Sequence, residues 1–114
     1  MIAVIFEVYP EPDRKQEYLS IAADLKTDLE KIEGFISVER FQSLTNPDKL
    51  LSLSFFENES AVEQWRNLNA HRDAQTAGRS GIFKNYRLRV CRVIRDYGLH
   101  DREQAPSDSL KTHR

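Results

Sequence analysis

Two stretches of this chain are apolar at both parities, and no other feature restricts its fold as strongly. Ile2 to Phe6 contains no polar residue, and Leu50-Leu51 and Phe55-Phe56 bracket a second segment that puts large apolar groups on each side. A strand with one wet face alternates apolar and polar residues, whereas a strand without alternation requires cover on both faces. These two segments therefore belong at the centre of a sheet with material above and below it.

Periodicity supplies the other elements. Ile2 to Tyr9 is β-branched and aromatic and is halted by Pro10 and Pro12, which cannot donate to a ladder. From Asp13, apolar residues recur at three and four (Tyr18, Ile21, Ala22, Leu25, Leu29, Ile32), with charged residues on the opposite side. One long amphipathic helix is expected, with Asp13 and Gln16 as a capping box and Gly34 as its left-handed C′ residue. Phe35 to Leu44 reads as an edge strand, and the turn cluster Thr45-Asn46-Pro47-Asp48 returns the chain as Lys49 to Glu57, the second arm of a hairpin. Val62, Trp65 and Leu68 mark a second helix, capped by Asn58 or by Ser60 with Glu63 and broken near Asn67 and Asn69. A further helical piece runs from about Ala70 to Gly78, and Tyr86 to Tyr97 is the last strand, with arginines interleaved among apolar residues.

The order β-α-β-β-α-β is the split βαβ arrangement. Right-handed crossovers place both helices on one face of a four-stranded antiparallel sheet in which strands 1 and 3 are central, an α+β, ferredoxin-like architecture. Two helices cover one face only. A bare apolar sheet exceeds the few hundred Å² of patch usual for monomers, so a second copy related by a twofold axis is expected on the other face, with the tail as the alternative cover. Residues 1–97 form the single domain. Residues 98–114, where only Leu99, Ala105 and Leu110 are aliphatic, form a polar tail expected to pack on the body or on the partner chain.

Composition narrows the function classes. The 114 residues are 39% hydrophobic and 31% charged with formal net charge −1, so bulk electrostatics predicts neither nucleic acid nor anionic membrane as a partner. No apolar run approaches the ~18 residues of a spanning helix, and the start of the chain lacks a signal-peptide pattern, which makes the cytoplasm the expected location. Cys91 is the only cysteine, so no intrachain disulfide or thiolate metal cage is expected, and Cys91 itself reads as a packed thiol.

Phosphate loops, dinucleotide turns, paired-histidine helices and nucleophile elbows are all missing, and no metal site is expected. One constellation remains. His71, Gln75 and Gly78 lie four and three apart, which puts an imidazole, an amide and a small residue on one helical stripe near Trp65, the only tryptophan. Facing the sheet, that stripe makes a polar wall in an apolar cleft, the usual form of a small-molecule site. His71 is then the candidate proton acceptor, because imidazole titrates near neutrality, and Trp65 is the residue that stacks on a planar ring. Gln75, Phe41 and Phe83 join Trp65 as candidate substrate-binding residues. The plainer readings are that Trp65 fills the core and that His71 sits at the surface or caps a helix. The arginines of strand 4, and Arg40 beside Glu39, read as salt-bridged sheet edges that discourage aggregation.

The opening Met-Ile-Ala-Val-Ile-Phe-Glu-Val, the helix exit Glu33-Gly34-Phe35-Ile36-Ser37, the strand Leu51-Ser52-Leu53-Ser54-Phe55-Phe56, Ala61-Val62-Glu63-Gln64-Trp65, and Ala70-His71-Arg72 with Ala77-Gly78-Arg79 together resemble the antibiotic biosynthesis monooxygenase family over about residues 2 to 97. The resemblance implies ferredoxin-like domains that pair into a dimeric α/β barrel. It also implies oxygenation of phenolic polyketides or hydroquinones with no metal or flavin cofactor, or haem breakdown in one branch. Haem-degrading members carry an asparagine on strand 1 and a histidine ten residues beyond the tryptophan, where this chain has Glu7 and Gln75. Polyketide oxygenases carry an asparagine one turn before the tryptophan, where this chain has Ala61.

The expected function is therefore a cofactor-independent monooxygenase acting on a small aromatic substrate, with His71 assisting deprotonation. The alternatives are a non-catalytic small-molecule-binding or stress-related dimer using the same cleft, and, third, haem binding through His71.

Overall fold

The apolar segment at the start of the chain forms β1 (Ile2–Pro10) and the second such segment forms β3 (Leu50–Phe56), and the two pair antiparallel from Ile2 opposite Phe56 to Val8 opposite Leu50. The computed structural model describes residues 1–68 and 81–108. Outside the central pair lie β2 (Phe35–Gln42), against β3, and β4 (Phe83–Arg92), against β1, giving the order β2-β3-β1-β4 with every neighbour antiparallel. Helices α1 (Lys15–Leu29) and α2 (Glu59–Arg66) follow β1 and β3 in the chain. This is the α+β, ferredoxin-like βαββαβ fold, with the two doubly apolar strands in the middle, where unbroken hydrophobicity is tolerated.

Several boundaries differ from the periodic reading, each for a local reason. Pro12–Arg14 forms a 3-10 turn and α1 begins at Lys15, with no side chain capping either start; the Asp13–Gln16 box does not form, and Arg14 instead reaches Glu17 at 2.8 Å. β4 stops at Arg92 rather than Tyr97 because its partner β1 begins at Ile2, and one last backbone bond joins Val93 to Met1. β2 ends at Gln42, and Leu44 is left fully exposed. The Gln42 side-chain amide donates to the carbonyls of Asn46 and Lys49 (3.2 and 3.0 Å), which braces the hairpin loop. At the start of α2, Asn58 wins over Ser60: its Oδ1 accepts from the Ala61 backbone N–H at 2.9 Å. Beyond β4, the Asp96 N–H donates to Gln104 Oε1 at 2.8 Å and Arg102 lies over the Tyr97 ring, so part of the tail folds back on residues 96–98.

The core has two centres on the helix-bearing face. Ile2, Val4 and Phe56 pack under Leu29, Ile32, Ala61 and Val62, and Val8 and Leu50 pack under Tyr18, Ala22 and Ile82. Gly34 has φ +93°, a conformation that disfavours any side chain, although it follows the end of α1 by several residues and is not the C′ cap expected of it. A Cβ at Gly34 would stand 3.0 Å from the Ala61 Cβ, so this turn lies directly against α2. Gly34→Ala is expected to lower stability by about 2 kcal/mol, read as a drop in the thermal midpoint, because it adds left-handed strain to a contact that cannot relax.

The opposite face carries Ala3, Ile5, Leu51, Leu53, Phe55 and Phe41 and meets neither α1 nor α2. It also holds a charged corner. Glu7 lies 3.1 Å from both Lys49 and Arg89, and the hydrogen bond from Lys49, assisted by the two positive charges, holds its carboxyl below the usual carboxylate range.

Candidate functional site

Small residues in the middle of β3 create the site. Ser52 and Ser54 stand on the helix-bearing face where larger apolar side chains would fill the layer, and Val4 and Ala22 are small on either side of them. The result is a cavity of about 210 Å³ between the sheet and the helices. This exceeds the ~150 Å³ of an engineered protein cavity that takes up benzene, so the space suits one ring with substituents. Its roof is Tyr18, Ile21, Ala22, Leu25 and Leu29 of α1, and its floor is formed by even-numbered residues of all four strands, joined by Phe83, which a register shift at the start of β4 brings to the same face.

The two ends of the cavity differ in chemistry. One is an aromatic cluster, with Phe83 edge-on to Phe6 and to Tyr18 (ring centroids 5.9 and 5.5 Å apart) and Tyr86 beside Phe6 at 5.6 Å. Arg40 of β2 is the only charged residue among the described lining residues. It lies across from Ser52 on β3 and reaches under α1, where its Nη2 is 3.5 Å from the Ala22 carbonyl, the outer limit of a hydrogen bond. Its Nε is buried and has no acceptor, and no carboxylate of the described residues forms an ion pair with it. A guanidinium stays protonated in proteins, and a buried donor without a partner costs about 1–3 kcal/mol, so the Nε–H is a cost that no described residue offsets. Burial pushes the Tyr18 phenol above its ordinary range, an effect that the neighbouring Arg40 opposes by its charge and by hydrogen bonding to the phenol oxygen. Tyr18 therefore stays a neutral donor and acceptor in the cavity.

The residues singled out from the sequence are divided by the structure. Trp65 and Phe83 line the cavity, and Trp65 also packs on Phe56 with ring centroids 5.8 Å apart. Phe41 does not join them: it sits opposite Leu51 on the helix-free face and is 41% exposed. His71 and Gln75 lie outside the described residues. Arg40, Tyr18 and Ser52 were not singled out as site residues. The signal was available in strand parity, since Arg40 shares its face with Val38 and Ser52, while Glu39, to which it reads as a partner in sequence, projects the other way. Cys91 is half-buried opposite Ala3 on the helix-free face. Among the described residues no group of three or more His, Cys, Asp or Glu could hold a metal ion, and no helix is long and apolar enough to cross a membrane.

Comparison with known proteins places this geometry in a family. The model of the antibiotic biosynthesis monooxygenase family matches residues 1–77. A curated protein of Pyricularia oryzae named jasmonate monooxygenase is 44% identical over 93 residues, which is 82% of this chain and 43% of that protein, so the chain spans less than half the length of that relative. A conserved protein of Methanosarcina mazei superposes with TM-score 0.73 at 22% identity, over 80% of this chain and 90% of its own. A protein of Deinococcus radiodurans does so with TM-score 0.78 at 10% identity, over 87% and 98%. These two structural likenesses establish the shared fold, and the matches in sequence establish descent: the chain belongs to the antibiotic biosynthesis monooxygenase family.

Proposed function

We propose that this protein is a monooxygenase that binds a small aromatic substrate of phenol or hydroquinone type between α1 and the sheet and oxygenates it directly with dioxygen. The observation that carries the proposal is the ring-sized apolar cavity, lined by Trp65 and Phe83, in a chain of this family. In the proposed reaction His71 takes the phenolic proton, Trp65 holds the ring, and the apolar walls keep water from the electron-rich anion. The substrate supplies its own electrons. An anthrone-like CH₂ becomes C=O as one oxygen atom enters, and the two hydrogens leave with the second oxygen as water, so no external reductant enters the balance.

The proposed unit is a homodimer. Ile5, Leu51, Leu53, Phe55 and Phe41 form an apolar centre on the helix-free face, bordered by Glu7, Glu39 and Arg89, and the same face of a second copy is its simplest cover.

Oxygen uptake tests the reaction. A panel of hydroquinones and anthrone-like phenols, with jasmonate added because the Pyricularia oryzae relative is named for it, is offered to the purified protein without added cofactor. Turnover is expected on at least one aromatic member, falling about 100-fold or more in His71→Ala. Binding with no oxygen consumption across the panel would replace the proposal with a non-catalytic binding role.

A further inference from the structure

We infer that the substrate of this cavity carries a carboxylate and that Arg40 is its receptor. The inference rests on the proposal that the cavity is the substrate site, and it adds a polar handle to a ligand otherwise specified only by its ring.

Four observations converge on this. Arg40 is the only charged group among the described lining residues, and the rest of that lining is apolar apart from the hydroxyls of Tyr18, Tyr86, Ser52 and Ser54 and the indole N–H of Trp65. Its Nε–H is buried without an acceptor. Its Nη2 has a distant contact to the Ala22 carbonyl, the neutral Tyr18 phenol is its other polar neighbour, and no carboxylate of the described residues neutralises it. Ser52 stands directly across the β2–β3 ladder, on the same floor. Nε–H and the adjacent Nη2–H form the side-on fork of a guanidinium, whose spacing matches the two oxygens of a carboxylate. A hydroquinone, even as its phenolate, offers a single oxygen to this fork, whereas a carboxylate places one oxygen on each of its two donors and carries the compensating charge in the resting complex. An apolar acid therefore fits with its carboxylate at Arg40 and its body along Leu25, Val38 and Trp65. Charge selects the acid over its neutral analogues, and the aromatic walls accept the ring. Sequence pattern alone hides this, because an arginine beside a glutamate on an edge strand reads as a surface pair.

The test uses two probes of nearly equal shape, 3-phenylpropanoate and 3-phenylpropanamide, titrated calorimetrically into the full chain at neutral pH. The wild type is expected to bind the acid about tenfold or more tightly than the amide. Arg40→Met, which keeps the apolar stem, is expected to remove that preference by weakening acid binding much more than amide binding, since the amide loses one neutral hydrogen bond and the acid a charged pair. Its thermal midpoint without ligand is expected to be no lower than that of the wild type, because the buried Nε–H that lacks an acceptor has been removed while the apolar stem is kept. Equal binding of acid and amide by the wild type overturns the carboxylate assignment and leaves the cavity as a site for neutral rings. A preference that persists in folded Arg40→Met overturns the role of Arg40. Failure of both probes, together with failure of every neutral phenol, overturns the cavity as a binding site and this inference with it.

Discussion

Phe56→Ala is expected to destabilise the protein by about 3–5 kcal/mol, a large share of the stability of a domain of this size. Phe56 is completely buried and stands where three strands meet, opposite Ile2 on β1 and Phe35 on β2. Its ring is edge-on to Phe35 at 5.7 Å and faces Trp65 at 5.8 Å, and Ala61 and Val62 of α2 cover it. Truncation removes the transfer energy of the ring and opens a hole that ladder bonds on both sides prevent from closing. Urea unfolding should show a lower midpoint at nearly unchanged slope, since the surface exposed on unfolding is the same. Because Trp65 shares this contact, the substitution should also loosen one wall of the cavity.

Leu53→Asp is expected to turn the proposed dimer into a folded monomer. Leu53 lies in the middle of the helix-free face, between Ile5 on β1 and Glu39 on β2. In a single copy it is half-buried, so an aspartate there retains water and costs the isolated fold little. At a twofold interface the same aspartate is desolvated beside Glu39 and is repeated by the partner. Such a charge costs several kcal/mol, on the order of a 10³-fold rise in the dissociation constant of the dimer. Sedimentation velocity at micromolar concentration should show the wild type at twice the chain mass and the variant at the chain mass, with matching far-ultraviolet circular dichroism. Two variants thus test the two faces of the sheet separately: Phe56→Ala tests the fold, and Leu53→Asp tests the proposed association.

Element order was readable in the sequence because each element has one dominant local cause. Strand centrality follows from the unbroken apolar run at Ile2–Phe6, and the roof of the cavity from the three-and-four spacing of Tyr18, Ile21, Ala22, Leu25 and Leu29. Ends were less legible because they are set by partners: β4 stops where β1 has no residue left to pair, which nothing within Val93 to Tyr97 announces. The site was legible only in part. Trp65 and Phe83 stand out by type, but Arg40 becomes meaningful only once parity and register put it under α1, away from Glu39. Phe41 illustrates the converse, since its type suggested a ligand wall and its odd position sends it to the other face. The space itself arises from Ser52 and Ser54, whose small size signals nothing until the layer above them is known.

The hollow between α1 and the sheet is the proposed seat of the substrate. Trp65 is the only tryptophan and lines that hollow, so its fluorescence reports on it directly. Titration of the wild type with an anthrone-like phenol should give a saturable change in emission, and Ala22→Phe, which plugs the cavity from its roof, should abolish it while circular dichroism remains that of the folded protein. Equal, saturable binding of the phenol by wild type and the folded plugged variant would contradict that assignment.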